Sequence, residues 1–322
     1  MPDDELITAG APDNPASAPQ IELQPEPQPV LQPAQPRGIA PIWHTVVLVV
    51  GILGFSIWGA VRSDTGTTNP LAPVHSAAQA AATKGADHAV DHVRLIRYAL
   101  TGLLEIAIVL WVAFGLYLRR IKLRSLFGRL PRDLNSITLE AGVALTFWLC
   151  SMVVLASSAL AWNTVENQIY KHQLKNQPPS SSQSAKPESP LQKQSEMAKQ
   201  LMELAPANAI ELTAWGLLCI LVGFSEELVF RGYLQSQSIA LLHRIPLSVL
   251  LTSLVFGAAH GYQGLRGICL ITLYGSLFSC LVLLRRNLFP GMLAHSWHDF
   301  ATGLLLAFLR SSHILEHLPT PK

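Results

Sequence analysis

Charge is scarce in this chain. Asp, Glu, Lys and Arg make up 14% of the 322 residues, and the formal net charge is only +2. A soluble domain carries about a quarter of its residues charged, so a water-soluble globular class is excluded. With so small a net charge and no basic stripe interleaved with aromatics, a nucleic-acid partner is not expected. Cysteine is equally sparse. Cys150, Cys219, Cys269 and Cys280 all fall in apolar runs without CxxC or Cys/His spacing, so they read as small buried hydrophobes rather than a zinc or redox site. The first apolar run begins near Ile42 without a basic leader, so it reads as a retained anchor rather than a cleaved signal peptide. No internal repeat is present.

Apolar length is what the chain does have. Half of its residues are hydrophobic and the mean hydropathy is +0.32. Runs of membrane-spanning length, roughly 18–25 residues, fall at residues 42–61, 97–118, 137–162, 208–230, 246–260, 267–284 and 289–309. The expected fold class is therefore all-α: a polytopic transmembrane helical bundle of about seven spans with a disordered N-terminal tail. That tail, residues 1–41, is rich in Pro, Gln and acid and lacks the apolar surface needed to order itself. Residues 42–162 read as N-terminal transmembrane helices, 163–207 as a polar extramembrane loop, and 208–310 as a compact C-terminal module.

Lys and Arg in short loops set orientation. The strongest cluster, "RRIKLR" with Arg129 and Arg132, follows the second run, and "HR" at 243–244 and "RR" at 285–286 fall on the same side. Placing all three in the cytoplasm puts the N-terminus there too. The protein is expected to be an integral multi-pass protein of a bacterial inner membrane, with the lipid bilayer as its surroundings.

An ionised side chain at a span's centre costs about 2.5–3.5 kcal/mol on insertion scales, so the polar residues inside the runs carry the information. Glu105 and Glu140 each stand alone in a run and read as protonated or interface-seeking carboxylates. His88 and His92, at i, i+4 with Asp91 between, read as an exposed helical turn, with metal binding as the alternative. The C-terminal module is different. It holds "SEELVFR" (225–231), "FGAAH" (256–260) and "HSWHD" (295–299), each on its own run. On a helix Glu227 and Arg231 are i, i+4 neighbours in the favourable order, which leaves Glu226 pointing elsewhere without a local counter-charge. A carboxylate so placed can act as a general base. His295 and Asp299 are also i, i+4; Asp299 could orient His295, bind a metal or help hold an oxyanion. His298 is a weaker candidate. Together with His260 these residues form a water-activating set.

"EELVFR", "FGAAH" and "HSWHD" resemble the three motifs of the CPBP intramembrane proteases, which include the CAAX prenyl endoproteases and bacteriocin-processing relatives. The resemblance covers roughly residues 208–305. It implies an intramembrane endopeptidase, of metalloprotease type by family name, acting on a membrane-associated peptide or protein, with CAAX-type C-terminal processing as one form. Carried over, Glu226 is similar to the glutamate that activates water, assisted by His260. Glu227 and Arg231 resemble supporting residues, and His295 and Asp299 the pair that stabilises the oxyanion. If a metal such as Zn2+ is used, the resemblance makes His260 and His295 its ligands together with a glutamate of the first motif. The runner-up is a non-catalytic scaffold or immunity protein of the same fold. An ion-coupled transporter is disfavoured, because the charges converge in one module. One difficulty stands: at 1.5 Å per residue, His260 and His295 differ in depth by roughly 12 Å. They can meet only if helices are broken, tilted or longer than hydropathy suggests, and a helix running through a kink at Pro246 is one way.

Overall fold

A backbone inside lipid must satisfy its own polar groups, and a helix does so within one segment. Each apolar run folds accordingly. A computed structural model describes residues 38–64, 92–176 and 189–312. Nearly all of the 1–41 tail, and His88 and Asp91, lie outside the described residues. In chain order the helices are α1 (Ile42–Asp64), α2 (His92–Leu118), α3 (Leu134–Lys175), α4 (Pro190–Met202), α5 (Ala209–Glu226), α6 (Gln235–Leu242), α7 (Ile245–Ala259), α8 (Gly264–Arg285) and α9 (Phe289–Ser311). A π-helical stretch, Glu227–Leu234, joins α5 to α6. No β-strand occurs among the described residues, so the all-α expectation holds. Ile42–Gly59, α2, α3, the continuous Ala209–Leu242 and Gly261–Arg285 are long and apolar enough to cross a membrane. Helix α7 has 15 residues, and α9 carries the polar HSWHD stretch.

Large apolar side chains such as Val50, Leu103, Leu110, Val153, Leu217 and Ile220 face outward, as lipid allows and water does not. The interior is correspondingly polar: His44, Glu211, Glu227, Arg231, Gln235 and Gln237 are all buried. One apolar core joins α1, α2, the π stretch and α7 through Leu48, Val112, Leu116, Phe230 and Phe256. A second joins α3, α8 and α9 through Ala144, Tyr274, Phe278 and Ala294.

Polar contacts lock the N-terminal helices to the C-terminal ones. The Gln237 amide clasps the Ala40 backbone, accepting its N–H at 3.1 Å and donating to its carbonyl at 2.9 Å. His44 stacks on Trp111 at 4.7 Å between centroids. Its Nε2 sits 2.8 Å from the Trp111 carbonyl, which can only accept, so Nε2 carries the proton and Nδ1 takes the Tyr233 hydroxyl at 2.8 Å. At the same end the basic loops meet: Arg129 N–H donates to the Arg286 carbonyl at 3.2 Å, and Leu288 N–H to Phe127 at 3.1 Å.

Two readings change here. Glu140 is not a lone carboxylate: Arg285 Nη2 donates to it at 2.6 Å and Asn287 Nδ2 at 3.2 Å. Its partners come from a helix end 145 residues away, which no local spacing reveals. The helix of the third span also continues past residue 162. Helix α3 runs 42 residues, about 63 Å at 1.5 Å per residue, well beyond a hydrocarbon core. Hydropathy falls near Trp162, but nothing breaks a helix until Pro178, so the helix continues with polar sides. Within the 163–207 segment α4 follows, opened by a Ser189–Gln192 capping box. The start of α3 is similarly fixed: Ser136 N–H donates to Asp133 Oδ1 at 2.8 Å, and the Ser136 donors hold this carboxyl below the usual carboxylate range.

Helices α7 and α8 approach each other closely at Gly257. A Cβ there would lie 2.0 Å from Thr272 Oγ1 and 2.6 Å from the Ile268 carbonyl oxygen. Gly257→Ala is therefore expected to cost about 1–3 kcal/mol of stability through overpacking. Thermal unfolding in detergent should show a lower midpoint; an unchanged midpoint would mean that α7 and α8 separate freely.

Candidate active site

The site forms where α5 gives way to the π stretch. Stretches of this type are rare and gather at functional positions, and here the transition falls between Glu226 and Glu227. The i, i+4 spacing is realised: Arg231 Nη1 donates to Glu227 Oε1 at 2.9 Å, with both side chains at most 1% exposed. Arg231 Nη2 donates to the Gly275 carbonyl of α8 at 3.2 Å. Its guanidinium lies 4.2 Å from the Phe256 centroid and 5.2 Å from that of Phe278, a cation–π setting on two sides. Glu227 Oε1 also takes His295 Nδ1 at 3.1 Å. A carboxylate can only accept here, so Nδ1 bears the proton. Gly291 of α9 makes room: a Cβ would stand 3.1 Å from Glu227 Oε2. The Glu227–Arg231 pair thus ties together the π stretch, α8 and α9.

Glu226 has no such engagement. Its Oε2 is buried without a hydrogen-bond partner and faces His295 Nε2 at 3.5 Å, beyond ordinary hydrogen-bond length. Asp299 Oδ2 faces the same Nε2 at 3.9 Å. Glu226, His295 and Asp299 therefore border one small space, and Asp299, with 28% of its side chain exposed, is the most open of the three. Close approach of α5 and α9 makes this possible, because a Cβ on Gly223 would stand 2.4 Å from Ser296 Oγ.

His260 stands at the C-terminal end of α7. Its Nδ1 donates to the Phe256 carbonyl at 2.9 Å, which leaves Nε2 as the free ring nitrogen. The rings of His260 and His295 both meet Phe256 edge-on, at 5.1 and 6.1 Å. The two histidines therefore both pack against one aromatic ring, and His260 bonds no carboxylate among the described residues. A left-handed residue, His243 at φ 52°, ends α6, and Pro246 sits in the first turn of α7, so no helix runs from α6 through a kink at Pro246. His298 turns away, accepting Trp148 Nε1–H at 3.4 Å.

Sequence reasoning missed Glu105. Far from being isolated, it takes the Ser225 hydroxyl at 2.6 Å, one residue from Glu226. Helix α2 thus brings another carboxylate to the cluster; its only sequence signal was an acid at mid-span. As for metal, no group of three or more His, Cys, Asp or Glu side chains among the described residues is arranged to hold an ion. His295 has Nδ1 committed to Glu227 and His260 has Nδ1 committed to the Phe256 carbonyl, so each ring would offer an ion its Nε2.

Glu227 and Glu226 separate by substitution. Glu227→Ala leaves Arg231 buried without its carboxylate, at a cost of about 3–5 kcal/mol, and should sharply reduce monodisperse protein recovered in detergent. Glu226→Gln should be recovered like wild type. Equal behaviour of the two variants would contradict the division of roles.

Residues 208–301, under a third of the chain, match the family model described as Type II CAAX prenyl endopeptidase Rce1-like. This is consistent with a CPBP family protease, as the three motifs imply. No curated protein and no solved structure matches the chain. The apolar helices and this segment make the chain an integral membrane protein.

Proposed function

We propose that the Rce1-like segment makes this protein an intramembrane endopeptidase that hydrolyses a peptide bond of a membrane-associated peptide or protein. The observation that carries the reading is the unequal treatment of adjacent glutamates. Glu227 bonds both Arg231 and His295 through Oε1, its Oε2 alone being unbonded, whereas Glu226 makes no hydrogen bond among the described residues and lies beside an imidazole nitrogen.

In this reaction Glu226 takes a proton from water, and the oxygen attacks the scissile carbonyl carbon. His295, holding a proton on each ring nitrogen, keeps Nδ1–H on Glu227 and offers Nε2–H to the developing oxyanion. Asp299 beside Nε2 favours that charged ring. An ionised Asp299 cannot itself donate to an oxyanion, so its part is to support His295. Glu226 then passes its proton to the leaving amine as the C–N bond breaks. His260, whose Nδ1 is held by the Phe256 carbonyl, has Nε2 left to serve water or substrate. Arg231 acts only through Glu227. The metalloprotease label is not needed for any of these steps.

CAAX-type C-termini are the first substrates to try, on the strength of the matched family's description. The meeting of the basic loops at one end of the bundle supports a cytoplasmic N-terminus under the positive-inside rule, and a bacterial inner membrane remains the proposed location.

Cells carrying wild type and Glu226→Gln at matched membrane levels provide the test, read by mass spectrometry of membrane-protein termini and released peptides. Termini present with wild type and lost by about 10²-fold or more with Glu226→Gln are expected. Identical lists from two folded proteins would reject proteolysis in favour of a scaffold.

A further inference from the structure

We propose that Ser56 of α1, far outside the matched segment, is a positioning residue for the His260 turn, so that the active site is completed by the N-terminal helices. This rests on the protease reading above.

A helix end leaves carbonyls without partners, and in lipid each such group is costly. Helix α7 ends at Ala259, inside the bundle, and His260 sits on the turn that follows. Ser56 is buried, at 5% exposure. Its hydroxyl donates to the Ala258 carbonyl at 2.7 Å and accepts the Gly261 N–H at 3.0 Å. One hydroxyl therefore pins the backbone on both sides of His260. The ring is in turn tied to its own helix through Nδ1–H and the Phe256 carbonyl at 2.9 Å. With the ring fixed to the backbone and the backbone fixed to Ser56, the direction of Nε2 depends on α1. The fit is close. A Cβ at Gly261 would stand 2.7 Å from Ser56 Oγ but 4.0 Å from Ser56 Cβ, so only the hydroxyl forbids a side chain there.

This geometry makes a double-mutant prediction. Ser56→Ala removes the pin, and Gly261→Ala pushes the hydroxyl away. Each should lower kcat about 10- to 100-fold, the scale of a small misplacement of a reacting group, with KM changed by less than about threefold. Ser56→Thr, which keeps the hydroxyl, should restore most of the rate. In the Ser56→Ala background Gly261→Ala meets no oxygen, so the double variant should be little worse than Ser56→Ala alone. A contact that merely held α1 to α7 would instead lower folded protein and leave kcat per folded molecule unchanged.

The experiment uses the full chain in proteoliposomes with a farnesylated CAAX peptide. In parallel, diethylpyrocarbonate labelling of His260 is followed by peptide mass spectrometry, with buried His295 as internal reference. Faster labelling of His260 in Ser56→Ala and Gly261→Ala, with non-multiplying losses of kcat, is expected. Unchanged labelling, unchanged kcat or multiplying losses would overturn the proposal. If wild type and Glu226→Gln are equally inactive toward the peptide, the protease reading loses its support. The labelling then decides by itself whether Ser56 holds the His260 turn.

Discussion

Everything in this site leans on the buried pair Glu227–Arg231. Two charges at membrane depth are tolerable only when each is neutralised. Arg231 is met by a carboxylate, the Gly275 carbonyl and two aromatic faces. Glu227 is met by Arg231 and His295, both through Oε1, while its Oε2 has no hydrogen-bond partner among the described residues. Those partners sit on α7, α8 and α9, so neutralising the pair draws these helices against the π stretch. Small residues at the contacts, Gly223, Gly275 and Gly291, allow the approach.

A consequence is that the neighbouring glutamate is presented rather than bonded. Because Glu227 holds His295 by one nitrogen, the other nitrogen is aimed at the space that Glu226 and Asp299 border. The structural pair and the chemical pair thus share one imidazole. The same side chain that closes the fold fixes the orientation of the ring that the reaction needs.

The three motifs and the helical class were legible in the sequence for local reasons. Polar residues at i, i+4 in an apolar run must point together, and a run of about 20 apolar residues must be a helix in lipid. Glu105 and Glu140 were misread as isolated for the converse reason. Their partners, Ser225 for one and Arg285 with Asn287 for the other, lie more than 100 positions away. Helix α3 outruns its apolar run because hydropathy reports where lipid ends, whereas helix breakers decide where the helix ends.

By itself the sequence determined that this is a bundle of apolar helices with a charged, histidine-containing module at its C-terminal end. It also set Glu227 as the partner of Arg231, since four residues along a helix is one turn. Only the tertiary structure decided which nitrogen of His295 is committed, that His260 packs on the same Phe256 ring, and that Ser56 and Glu105 reach the site from α1 and α2. Those facts depend on where separate helices cross, and crossing is set by packing of side chains that no local spacing encodes.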